Sequence, residues 1–117
     1  MNEQFDSQKA KEFLSNRSQN ENEQREDERK TVLKHTCAVI EQEFKDTGIE
    51  VYLVGSILRP YQFTANSDID IVVKNFTGDR FLLWTKLEEL LQREVEIILF
   101  ESCHFKDFIT SQGLKVV

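Results

Sequence analysis

Apolar residues appear at helical spacing from Lys30 onward. Leu33, Cys37, Ile40 and Phe44 fall at i, i+4, i+7 and i+11, with Val32 and Val39 widening the stripe. Thr47-Gly48 is a stop signal, because glycine suits the left-handed position after a helix. The run Ile49-Glu50-Val51-Tyr52-Leu53-Val54 is β-branched and apolar enough for an interior strand covered on both faces, and it ends at Gly55-Ser56. After a polar loop with Pro60 and Asn66, Ser67 to Val73 alternates, with Asp68 and Asp70 on one side and Ile69, Ile71 and Val73 on the other. Asn75 to Gly78 turns the chain. Asp79 then caps a second helix that places Leu83, Trp84, Leu87, Leu90 and Leu91 on its buried face. Val95 to Phe100 reads as a third strand interrupted by Glu96, and Phe105, Phe108 and Ile109 as a short last helix ending near Gly113. The order helix, strand, strand, helix, strand, helix predicts an α/β (α+β) fold, a small mixed β-sheet with helices packed on it.

The start of the chain has a different texture. Asn16 to Lys30 contains no apolar residue, so it buries nothing to offset a backbone ordering cost of roughly 1–2 kcal/mol per residue. Phe5, Ala10, Phe13 and Leu14 upstream space one or two amphipathic turns. Residues 1–29 therefore read as a polar extension, flexible or helical, with an arm that docks on a partner as the sharper alternative. Residues 30–117 read as the folded domain.

Composition narrows the function. The 117 residues suit one domain, and 39% hydrophobic with 31% charged residues is a globular balance. Fifteen Lys and Arg against twenty-one Asp and Glu leave a net charge of −6, which argues against affinity gained by neutralising a nucleic-acid backbone. A small phosphate-bearing substrate needs only a local site and stays open. No apolar run approaches the roughly twenty residues of a membrane span, and Met1-Asn2-Glu3-Gln4 does not begin a signal peptide. Cys37 and Cys103 form neither a disulfide framework nor a zinc spacing, so a reduced, cytoplasmic protein is expected.

Three features break the local pattern. Gly55-Ser56 closes an apolar strand, Asp68 and Asp70 share one face of the next, and Glu96 interrupts a third. Carboxylates inside a sheet are unfavourable unless paired or bound to a cation. If the strands are neighbours, the three converge and favour a hard cation, Mg²⁺ or Mn²⁺, since no His or Cys joins them. Side chains at i and i+2 of a strand start about 7 Å apart, close enough to share one ion or hold two. Such a set suits phosphoryl or nucleotidyl transfer. Gly55 would admit a phosphate close to the backbone, with the Ser56 hydroxyl and turn amides as donors.

Val54-Gly55-Ser56, Ser67-Asp68-Ile69-Asp70-Ile71-Val72-Val73 and Arg93-Glu94-Val95-Glu96-Ile97-Ile98 together resemble the minimal nucleotidyltransferase family of the DNA polymerase β-like superfamily. The resemblance runs from about Lys30 to the C-terminus, and only the polar extension lies outside it. It implies a nucleotidyltransferase fold. It also implies metal ligation and catalysis by Asp68, Asp70 and Glu96, nucleotide binding by Gly55, Ser56, Arg59 and Ser67, and ATP as substrate with Mg²⁺ or Mn²⁺. Small proteins of this family are usually antitoxin partners of HEPN-domain ribonuclease toxins, and some transfer AMP from ATP to a tyrosine of the toxin. The resemblance thus implies a hetero-oligomer with a HEPN-family toxin, and no direct nucleic-acid or membrane partner.

Three departures from the family pattern carry weight. The loop between Ser56 and Asp68 is one residue longer than the commonest spacing. Ile57-Leu58-Arg59-Pro60 has proline where many members have glycine, which changes the available backbone angles. Glu96 stands where aspartate is usual. An inhibitor of the same fold that acts by binding alone is therefore the alternative reading. A transferase for a small molecule such as an aminoglycoside fits less well, because those enzymes carry a further domain. His35 and His104 read as surface histidines, Cys37 as a core thiol, and Trp84 as core rather than a base-stacking residue.

Overall fold

The computed structural model describes residues 7–117; Phe5 lies outside the described residues, as do the side chains of Ala10, Phe13 and Leu14. The first helix, α1 (Ser7–Phe44), runs unbroken through the polar stretch and the apolar stripe. No Gly or Pro falls within it, and its Glu, Gln, Lys and Arg residues are good helix formers. It stops where expected: Asp46 and Gly48 take left-handed backbone angles, and the Thr47 hydroxyl donates to the Phe44 carbonyl at 2.7 Å.

Four strands follow: β1 (Glu50–Val54), β2 (Ile69–Lys74), β3 (Val95–Leu99) and the two-residue β4 (Leu114–Lys115). Helix α2 (Arg80–Leu91) links β2 to β3, and α3 (Lys106–Gln112) precedes β4. The sheet order is β3-β2-β1-β4, with β1 antiparallel to both neighbours and β2 parallel to β3. The parallel pair needs a crossover, which α2 supplies. The sheet is mixed, as the pattern predicts. β4 escapes sequence reading because its two residues are too few to show an alternation.

Each face of the sheet has its own cover. Val51 and Leu53 of β1, Ile69, Ile71 and Val73 of β2, and Val95 and Ile97 of β3 pack with Ile40 and Phe44 of α1 and Leu87 and Leu91 of α2. On the opposite face Tyr52, Val54 and Val72 pack against Ile109 of α3. β1 is thus covered on both sides, which explains its unbroken apolar run. Cys37 is half-buried against the larger cluster, and burial pushes its thiol pKa upward.

Asp79 caps α2 as expected, accepting from the Phe81 and Leu82 amides at 2.8 and 3.2 Å. The expected buried face of α2 is narrower than its periodicity implies. Leu87 and Leu91 are buried, whereas Leu90 is exposed and Trp84 is 37% exposed. Trp84 is not core. Its indole N–H donates to the Val95 carbonyl at 2.8 Å, Glu88 accepts from the Val95 amide at 2.9 Å, and the Arg80 guanidinium donates to the Ile97 carbonyl. Together these side chains cover the outer edge of β3, which would otherwise offer unpaired backbone groups. Among the described residues no helix is long and apolar enough to cross a membrane.

Candidate active site

β1 delivers the chain to Gly55 with φ +87° and ψ −157°, a region that only glycine enters without strain. A 3-10 turn, Ser56–Leu58, follows at once, closed by Leu58 N to Gly55 O at 3.1 Å and Arg59 N to Ser56 O at 3.0 Å. Any side chain at Gly55 would run into the Asp70 carboxylate, with a β-carbon only 3.3 Å from Asp70 Cγ. The glycine therefore does two things: it lets the backbone turn, and it leaves room for the acid.

Asp70 sits opposite Val54 in the antiparallel pairing and opposite Glu96 in the parallel one. Of the expected convergence of Asp68, Asp70 and Glu96, register brings Asp70 and Glu96 side by side, with Gly55 against Asp70. Asp68 precedes β2 by one residue and joins from the loop. Burial, then the charge of Glu96 and its hydrogen bond, then the charge of Asp68, push the Asp70 pKa up to about 6. Like charges held together in this way are relieved by a cation, and an all-oxygen donor set is what a hard divalent ion prefers. The chemistry of the donors fits Mg²⁺ or Mn²⁺. Among the described residues, however, no three acidic, His or Cys groups close around a single point. Asp70 and Glu96 are the tight pair, Asp70 half-buried and Glu96 exposed; Asp68 is exposed and approaches from the loop. Glu96 lies on the edge strand and not in the sheet interior, which is why its charge is tolerated there.

Residues 33–116 match the nucleotidyltransferase domain family. The chain belongs to that family.

This nucleotidyltransferase domain is also similar in structure to two solved toxin–antitoxin complexes. One, of MntA with HepT, is 25% identical with a TM-score of 0.51, covering 70% of this chain and 69% of that chain. The other, a toxin–antitoxin with AMP-PNP, is 26% identical with a TM-score of 0.54, covering 70% of each chain. A mutant MntA complex at 23% identity and a TM-score of 0.51 shares the fold. No curated protein sequence matches significantly.

The remaining expected residues of the nucleotidyltransferase site are dispersed. Ser67 accepts from the Thr64 amide at 2.9 Å and shares a 3.2 Å hydrogen bond with the Thr64 hydroxyl, so in this structure its hydroxyl closes the turn before β2. Arg59 is exposed and lines a cleft of about 180 Å³ with Gly55, Leu58, Phe108 and Gln112, on the α3 side. Asp68 and Glu96 instead open on a groove of about 530 Å³ bounded by Arg80, Phe81, Trp84, Val95 and Ile97.

Several residues around the site escape the sequence reading. Arg93 donates to the carbonyls of Ser67 and Thr64 and lies 4.3 Å from the Phe63 ring centroid, pinning the loop that leads to Asp68. Arg80, Phe81 and Trp84 enter the groove because α2 crosses the β3 edge beside Glu96. The N-cap at Asp79 marks where α2 begins, but nothing local marks what its first turn faces.

Proposed function

We propose that this domain is a metal-dependent protein adenylyltransferase that uses ATP to silence a toxin partner of the HEPN ribonuclease class in the cytoplasm. The observation that carries the reading is the parallel register that puts Asp70 beside Glu96, with Gly55 held against Asp70. A nucleotidyltransferase needs such a group of carboxylates next to a backbone turn that phosphate can approach. The likeness to toxin–antitoxin complexes, one with AMP-PNP, supports a toxin partner and an adenine nucleotide.

In this reading Asp68, Asp70 and Glu96 hold the divalent ion, and Gly55 and Ser56 take the phosphates, with Arg59 and Ser67 at the margin. Bound there, the ion would neutralise triphosphate charge and acidify the acceptor hydroxyl. The acceptor oxygen, from a tyrosine of the toxin, attacks the α-phosphorus. The bond to the bridging oxygen breaks, pyrophosphate leaves, and the hydroxyl proton passes to a carboxylate at the site. The groove beside Asp68 and Glu96 leaves the acceptor side open, and a partner would close it and exclude water.

A second reading, inhibition by binding alone, draws on the exposure of Glu96 and on the loose placement of the third carboxylate. One experiment separates the two. The chain is incubated with ATP, Mg²⁺ and its co-encoded toxin candidate, and the partner is weighed intact, alongside an Asp68→Asn/Asp70→Asn variant. Addition of one AMP that disappears with the variant is the expected result. No mass change, with the toxin still bound and inhibited by both forms, selects the contact-only inhibitor.

A further inference from the structure

Among the described residues of the polar stretch of α1, two side chains are largely withdrawn from solvent. Glu26 and Arg29 are 9% and 8% exposed, although no apolar residue lies between Asn16 and Lys30. They are buried as a pair. Arg29 Nε donates to Glu26 Oε2 at 2.9 Å, and Arg29 Nη2 to Glu26 Oε1 at 2.9 Å. Each partner then spends its remaining capacity on the loop after β1: Arg29 Nη1 donates to the Ile57 carbonyl at 2.9 Å, and Glu26 Oε2 accepts from the Tyr61 amide at 2.8 Å. The Arg29 hydrogen bond, then the Tyr61 amide, hold the Glu26 carboxyl below its usual pKa.

The two loop contacts bracket a segment whose own backbone hydrogen bonds, Arg59 N to Ser56 O and Gln62 N to Arg59 O, still leave one residue in an unfavourable conformation. Tyr61 has φ +64°, a left-handed angle that is unfavourable for a bulky residue, and its own side chain is 60% exposed. Ile57 lies inside the Ser56–Leu58 turn, next to Ser56 and two residues from Gly55. A side-chain pair on α1 therefore fixes both the turn that faces Asp70 and the far end of the loop, across Pro60.

We infer that Glu26 and Arg29 are positioning residues: from the polar extension of α1 they hold the Ser56–Tyr61 loop in the form that receives the nucleotide phosphates. This rests on the nucleotide-binding reading above. The bracket acts through the loop and touches no substrate. Its removal lowers the fraction of molecules with a competent loop, and apparent affinity falls in proportion.

The test uses the full chain. Binding of Mg-ATP is measured by calorimetry for the wild type, Arg29→Ala, Glu26→Gln and Glu28→Ala, with amide hydrogen exchange followed in the same samples. Arg29→Ala is expected to weaken Mg-ATP binding by about tenfold, as for a loop competent a tenth of the time. Exchange should accelerate in residues 56–61 and stay unchanged in β1 and β2. Glu26→Gln, which keeps an acceptor for Tyr61, should fall between Arg29→Ala and the wild type, and exposed Glu28→Ala should match the wild type. Faster exchange throughout the domain, or a loosened loop with Mg-ATP affinity unchanged, overturns the inference. If Arg29→Ala fails to fold, Glu26→Gln decides by the same two readouts. If the wild type binds no Mg-ATP, the nucleotide reading itself fails. That outcome is distinct from a wild type that binds and variants that bind equally well.

Discussion

The backbone of Gly55 lies directly against the carboxylate of Asp70, so closely that a β-carbon at position 55 would overlap Asp70 Oδ2. One residue supplies the turn out of β1 and the other the central acid on β2, and the antiparallel pairing of Val54 with Asp70 brings them together. Two separate penalties therefore fall on any replacement of Gly55: a backbone angle unsuited to other residues and a collision with the acid.

Gly55→Ala is expected to destabilise the domain by about 2–3 kcal/mol and to abolish Mg-ATP binding. Asp70→Ala in the same chain removes the collision and leaves the backbone strain. Urea denaturation of both single variants and the double variant should therefore show a double variant more stable than the sum of the singles. Simple additivity would mean that the two residues do not touch in solution.

Asp70 carries a second expectation. Its folded pKa of about 6 lies above its ordinary value of 3.8, so between those values the folded state holds a proton that the unfolded chain has lost. Stability without metal must then fall as pH rises from about 4 to 6 and stay low above that window. Asp70→Asn should stabilise the metal-free chain at pH 8 by about 1 kcal/mol, allowing for solvent screening of a half-buried group. That gain should vanish near pH 4. Added Mg²⁺ should raise the stability of the wild type at pH 8 and leave Asp70→Asn unmoved. Denaturation curves at the two pH values, with chelator or Mg²⁺, check each sign.

Trp84 is the chain's one tryptophan, and it lines the groove beside Asp68 and Glu96. Its fluorescence should change when Mg-ATP or the protein partner enters that groove, and should stay flat with buffer alone. Trp84→Phe keeps a ring but removes the donor to the Val95 carbonyl, an expected loss of about 1 kcal/mol. It also uncovers part of the β3 edge, so self-association on light scattering should rise with concentration.

The cap at Asp79 sets the start of α2, which carries Arg80, Phe81 and Trp84 into the groove. Asp79→Ala should lower stability by about 1 kcal/mol through the lost hydrogen bonds to the Phe81 and Leu82 amides, and Asp79→Ser should recover most of it. Thermal melts of the three proteins decide this.

The sequence by itself determined the helix from Lys30 onward, α2, α3 and the strands β1 to β3, because a 3.6-residue or two-residue hydrophobic period is a local property that any one element displays alone. It also exposed Gly55, Asp68, Asp70 and Glu96, since each breaks the period around it. Tertiary structure decided what those residues face. Asp70 meets Glu96 because β2 and β3 run parallel in one particular register, which the apolar contacts of Ile69, Ile71, Val95 and Ile97 with the helices select. Trp84 follows the helical period yet caps a strand edge, because where a helix crosses a sheet margin depends on the whole layer and not on the helix. Glu26 and Arg29 look like any solvated charges in a polar run. They are buried only because the Ile57 carbonyl and the Tyr61 amide, 28 and 35 residues further along the chain, complete their hydrogen bonds. Partners that distant leave no periodic trace in the sequence; only the folded chain brings them into reach.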